Sequence, residues 1–140
     1  MKAIEIYEVG PRDGFQNQKV YIPKENKLLI IDAIAASGVK HIQVTSFVSP
    51  KAIPQMADSA EVAAACAEKY PELSLYALAP NLRGAYNAWN AGIKHIFYVV
   101  SLSASHNKAN INRTHEQSMQ EYLNIRENLP DMEVSIDLAT

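Results

Sequence analysis

The residues best equipped for chemistry in this chain stand near its start, in Gly10-Pro11-Arg12-Asp13-Gly14. A carboxylate such as Asp13 is a hard oxygen ligand of the kind Mg²⁺ or Mn²⁺ prefers, and the permanently charged guanidinium of Arg12 suits a developing oxyanion. One carboxylate does not make a metal site, and the pair also has a plain structural reading: Asp13-Gly14 makes a turn while Arg12 forms a surface ion pair. Further polar candidates follow at intervals: Gln43, Thr45 and Ser46, then Asn81 and Arg83, then Ser101, Ser103, His106, Asn107 and Lys108. His106 and His115, with Lys108 and Arg113, either face phosphate groups or make a solvated polar loop.

The elements that must position these groups alternate along the chain. Residues 3–9, 41–47, 73–79, 95–101 and 133–138 are short runs rich in β-branched and aromatic side chains, bounded by turn residues, and are predicted strands. Helical patterns lie between them. Pro23 suits a first helical turn, and Leu28, Ile31, Ile34 and Ala35 recur at helical spacing before Gly38 ends the helix. Asp58 or Ser59 caps a helix running to about Tyr70, Asn81 opens one ending near Gly92, and Thr114 with Gln117 forms a capping box for one reaching Leu129. The echo of Ser37-Gly38-Val39-Lys40-His41-Ile42 in Ala91-Gly92-Ile93-Lys94-His95-Ile96 marks two equivalent helix-to-strand corners.

Such alternation implies an α/β fold with a parallel sheet, either a barrel or an open doubly wound sheet. A nucleotide-binding open sheet usually carries a glycine-rich turn after its first strand. Here Pro11 removes one amide from that turn and two charges follow it, which favours the barrel. In either case functional groups gather where strands end, so His41 and His95, which precede their strands, are rejected as ligands.

At 140 residues with 48% hydrophobic and 20% charged side chains, the composition is that of a folded globular domain with no internal boundary. The length falls well short of the roughly 250 residues of a closed (β/α)8 barrel. A net charge of −2 gives no reason to expect nucleic acid, and no apolar run is long enough to span a bilayer. With neither a secretory nor a transit-type start, a cytoplasmic location is expected. The single cysteine, Cys66, sits in a small-residue helical run and is expected to be buried and structural.

Two long segments carry a resemblance. Glu8-Val9-Gly10-Pro11-Arg12-Asp13-Gly14-Phe15-Gln16-Asn17, and Thr45-Ser46-Phe47-Val48-Ser49-Pro50-Lys51 continued by Pro54-Gln55-Met56-Ala57-Asp58, are similar to the 3-hydroxy-3-methylglutaryl-coenzyme A lyases. Pro80-Asn81-Leu82-Arg83-Gly84 and Asn110-Ile111-Asn112 extend the match in order along the chain. The resemblance implies a TIM-barrel (β/α)8 enzyme, of which this chain holds about the first four and a half βα units. It implies metal-dependent cleavage of an acyl-CoA substrate into acetyl-CoA and acetoacetate, a retro-Claisen reaction that belongs to leucine degradation. In that family's terms Asp13 would bind Mg²⁺ or Mn²⁺, Arg12 would stabilise the enolate at the thioester oxygen, and Ser46 and Ser103 would contact substrate.

The match departs from the family at several places. Gln43 stands where the family has a catalytic glutamate, keeping the shape and losing the charge, and Ala104 replaces a second glutamate. The family's metal-binding histidines, catalytic cysteine and ligating asparagine have no counterpart here. These departures leave two other readings open, a non-catalytic half-barrel for binding or assembly and another Claisen-type enzyme of the superfamily. An opened barrel has two unpaired strand edges, so closure is expected through a homo-oligomer or through continuation of the same polypeptide.

Overall fold

The computed structural model describes residues 4–140. Five strands run parallel in a single sheet: β1 (Tyr7–Glu8), β2 (His41–Ser46), β3 (Ser74–Leu78), β4 (His95–Ser101) and β5 (Glu133–Ala139). Their spatial order is β1-β2-β3-β4-β5. Each strand therefore pairs with its sequence neighbour, and every crossover advances the same way around the sheet. A doubly wound sheet reverses that order at a switch point. The strands form a curled half-barrel, part of a (β/α)8 architecture.

Helices α1 (Lys24–Ala36), α2 (Ser59–Lys69), α3 (Leu82–Asn90), α4 (Ala104–Ile111) and α5 (His115–Asn128) connect the strands. The outer face of the sheet supplies Ile42, Val44, Ala77 and Ile96, which are fully buried with Ile31 of α1, Val62 of α2 and Ile125 of α5. Small side chains let α2 and α3 lie close to the sheet: Ala63, Ala85 and Ala88 are wholly buried. Cys66 belongs to this layer, and burial pushes its thiol up to about 12. Gly38 (φ +92°) and Gly92 (φ +90°) follow α1 and α3 in the left-handed conformation expected of helix stops.

Alternate residues fill the inner face near the amino ends of the strands. The Tyr7 and His41 rings stack at 4.6 Å, as do His95 and Phe97 at 5.6 Å, and Tyr76 meets His95 edge-on at 4.6 Å. His41 Nδ1 pairs with the Tyr76 hydroxyl at 2.8 Å, and His95 Nε2 with Ser135 Oγ at 2.7 Å. Burial lowers the His95 pKa, which Glu133 partly opposes from 3.4 Å. Both histidines thus pack a floor at the end of the sheet opposite Arg12 and Asp13.

Several elements differ from the sequence reading. The first strand is two residues long rather than seven, and Ala3, its expected start, lies outside the described residues. Gly10–Gly14, read as a simple turn, is a π-helical one: the Phe15 amide donates to Gly10 O, five residues back, while the Arg12 and Asp13 amides both donate to Val9 O at 3.0 and 2.8 Å. Residues 104–111, read as part of a long polar loop, form α4 with Ser103 as its cap. Asp58 precedes α2 but does not cap it, because its carboxylate is drawn to Lys27 and Tyr21.

Candidate active site

Arg12 and Asp13 meet β2 at the carboxyl end of the sheet. The π-helical turn packs against β2, and the Arg12 Nε donates a hydrogen bond to Gln43 Oε1. Gln43 is 4% exposed, so this bond fixes the guanidinium from within the sheet. Arg12 Nη1 also lies 3.0 Å from Asp13 Oδ1, and Gln16 Nε2 donates to the same oxygen at 3.3 Å. Asn17 Nδ2 donates to the Asp13 carbonyl at 2.8 Å, bracing the turn from behind. The side chain of Asp13 is 53% exposed against 16% for Arg12. The carboxylate faces solvent while the guanidinium is held against the strand.

The remaining candidates divide by what holds them. Thr45 points away from this centre: its hydroxyl donates to Ser59 Oγ at 2.7 Å, and Ser59 Oγ in turn contacts the Ser46 carbonyl at 2.8 Å. Among the described residues, the Ser46 and Ser101 hydroxyls are buried with no hydrogen-bond partner. A buried orphan hydroxyl at a strand end is a group whose partner the fold has not supplied. Ser103 Oγ accepts the His106 amide at 3.3 Å and meets Ser105 Oγ at 2.9 Å.

The polar fourth segment is structured from within. Asn107 is wholly buried and accepts the Ser101 amide at 3.0 Å while donating to the Arg113 carbonyl at 3.0 Å and Ser118 Oγ at 2.9 Å. His115 Nε2 lies 2.8 Å from the Ser101 carbonyl, and Arg113 Nη1 donates to Pro80 O. These contacts use His115 and Arg113 to pin α5 to the sheet, so the two do not join His106 and Lys108 in one open basic cluster. Asn81 caps α3 by accepting the Gly84 amide at 2.8 Å.

Sequence reasoning missed a second polar centre behind the site. Lys27, 2% exposed, donates to Asp58 Oδ1 at 2.7 Å and to the Gln55 carbonyl, and its ammonium lies 5.0 Å from the Tyr21 ring centroid. The Gln55 side chain accepts the Ile22 amide at 3.0 Å and donates to Gln18 O at 3.0 Å. Together they tie the segment after the π-helical turn to the start of α2. The signal was present: Lys27 stands four residues before Ile31 on the buried face of α1.

The chain is similar in sequence and in fold to known proteins. A lyase of Pseudomonas aeruginosa described as acting on 3-hydroxy-3-isohexenylglutaryl-CoA and hydroxymethylglutaryl-CoA is 40% identical over 126 residues, covering 90% of this chain and 42% of its own length. The mitochondrial hydroxymethylglutaryl-CoA lyase of Bos taurus is 40% identical over 121 residues, 86% of this chain and 37% of that protein. The crystal structure of an HMG-CoA lyase from Acinetobacter baumannii, with coenzyme A and 3-methylmalate bound, superposes with a TM-score of 0.91 at 33% identity, covering 99% of this chain and 47% of that one. This chain thus spans less than half the length of each of these relatives. The HMGL-like family profile matches residues 3–137, and the chain belongs to that family.

Proposed function

We propose that this chain carries the Arg12–Asp13 portion of the active site of an enzyme that cleaves 3-hydroxy-3-methylglutaryl-CoA to acetyl-CoA and acetoacetate. The observation that carries this reading is the Arg12 guanidinium, anchored through Nε to buried Gln43 at the carboxyl end of the sheet. In the cleavage the substrate hydroxyl gives up its proton and becomes the ketone of acetoacetate as the bond from its carbon to the thioester α-carbon breaks, and the electron pair of that bond passes to the thioester oxygen as an enolate. Arg12 stabilises that oxygen in this reading, and a proton returned to the α-carbon, balancing the one the hydroxyl lost, completes acetyl-CoA. Ser46 and Ser103 are proposed substrate contacts.

A divalent cation fits this chain in part. Asp13 offers a solvent-facing oxygen ligand of the hard type that Mg²⁺ and Mn²⁺ take, yet among the described residues no group of three His, Cys, Asp or Glu side chains stands together. Asp13 would thus be one ligand among several, the others coming from outside these residues. Such an ion supplies a template and a Lewis acid for the substrate's oxygens.

An acyl-CoA partner is favoured by the coenzyme A bound in the A. baumannii relative. Closure by a second copy or by further polypeptide is favoured by exposed apolar residues at the two edges of the sheet, Ile4 and Ile6 just before β1 and Leu138 in β5. No helix of the described residues is long and apolar enough to cross a membrane. A cytoplasmic location is proposed by analogy with relatives such as the cytoplasmic lyase of Mus musculus, and a place in leucine degradation on the family resemblance alone. Acetyl-CoA release from 3-hydroxy-3-methylglutaryl-CoA with Mg²⁺ or Mn²⁺ tests the reading. We expect turnover to fall about 10²–10³-fold in Arg12→Gln. Absence of cleavage by an assembly that binds the substrate would overturn the reading.

A further inference from the structure

Arg12 has two acceptors of different character. Asp13 is charged but more than half exposed, so water and salt screen its compensation of the guanidinium. Gln43 is buried and neutral. A carboxylate in its place would lie against Nε where the effective dielectric is low and the attraction several-fold stronger than in water. The amide holds the guanidinium with a charge-assisted hydrogen bond and adds no compensating charge to that of the exposed Asp13. No other carboxylate is recorded within ion-pair distance of Arg12 among the described residues.

We infer that Gln43 is the positioning residue of Arg12 and, by being neutral, sets the selectivity of this mouth for an oxygen that carries full negative charge, a carboxylate or an enolate. The inference rests on the proposed role of Arg12 but concerns binding rather than turnover. Gln43 fixes the direction of the guanidinium through Nε, so the Nη groups not engaged by Asp13 are left for the ligand's oxygen. Because the buried position bears no charge, the only carboxylate set against the anion's attraction to Arg12 is the solvent-screened Asp13.

The test uses the dicarboxylate 3-hydroxy-3-methylglutarate and its dimethyl ester as probes, titrated calorimetrically at pH 7.5 with a chelator present, so that metal binding plays no part. The unsubstituted chain is expected to prefer the dicarboxylate by at least about tenfold. Gln43→Glu should remove that preference while leaving the ester's affinity unchanged, and Gln43→Met, which removes the acceptor, should reduce it. Thermal melts by circular dichroism establish that each variant is folded. A purely structural role would weaken both probes together, so the split between them is the informative readout. Equal dicarboxylate affinity in Gln43→Glu and the unsubstituted chain would overturn the inference, as would lack of preference in the unsubstituted chain. If the preference holds and the CoA ester is not cleaved, the reaction assignment fails while the role of Gln43 stands.

Discussion

Replacing Lys27 with methionine isolates the buried centre behind the site. Methionine keeps most of the apolar stem and removes the ammonium that serves Asp58, the Gln55 carbonyl and the face of Tyr21. The side chains of Lys27 and Asp58 are only 3% and 11% exposed, so Asp58 is left as a nearly buried carboxylate. Breaking one side of such a pair costs about 3–5 kcal/mol. The Tyr21 hydroxyl still donates to Asp58 at 3.0 Å, which places the expected loss at the lower end, about 3 kcal/mol. Urea unfolding followed by circular dichroism, with unchanged slope, reads this loss directly. Asp58→Asn in the Lys27→Met background should recover part of it, because an amide tolerates burial without a cation. The corresponding double-mutant cycle should give a coupling of about 1–3 kcal/mol. A cost below about 1 kcal/mol for Lys27→Met, or strict additivity, would refute the reasoning.

Other perturbations have defined outcomes. Asn107→Ala removes the partner of the Ser101 amide, the Arg113 carbonyl and Ser118 at once, and should lower stability by about 2–3 kcal/mol in the same assay. A Cβ on Gly84 would stand 2.7 Å from the Phe47 carbonyl oxygen, so Gly84→Ala should cost about 1–3 kcal/mol despite alanine's better helix propensity. Cys66, with its thiol pushed up to about 12, should resist Ellman's reagent at pH 8 in the folded protein and react once urea unfolds it. Hydrogen bonds from Lys69 and Tyr70 hold Asp32 below its ordinary value of 3.8. Its stabilisation is therefore present above about pH 4 and lost as pH falls through the lowered folded value; Asp32→Asn should flatten that acid limb of the stability profile.

Local signals that act alone were the ones the sequence displayed. The Thr114–Gln117 capping box forms in both directions, and the two glycine stops lie where the repeated corners put them. Period-two and helical patterning therefore sufficed for the alternation of strands and helices, and strand pairing then follows from parallel neighbours. Features set by tertiary partners were less visible. The segment from Ser103 to Asn112 lacks an apolar stripe, yet it is helical because Asn107 anchors it to Ser101 and Ser118 from a single buried side chain. Asp58 looks like a helix cap by type and place, but a buried ammonium outcompetes the backbone amides for its carboxylate. The Arg12–Asp13 adjacency was legible from chain order, whereas the bond from Arg12 across to Gln43 needed the π-helical turn to direct it.

If Arg12 stabilises negative charge on a thioester oxygen, the enolate half of the reaction reveals it without carbon–carbon cleavage. The measurement is exchange of the acetyl-CoA methyl protons for deuterium in D₂O with Mg²⁺ present, followed by mass spectrometry. The protein in its assembled form is expected to catalyse exchange, with a loss of about 10²–10³-fold in Arg12→Gln. Exchange that is unchanged when Arg12 is replaced would contradict it.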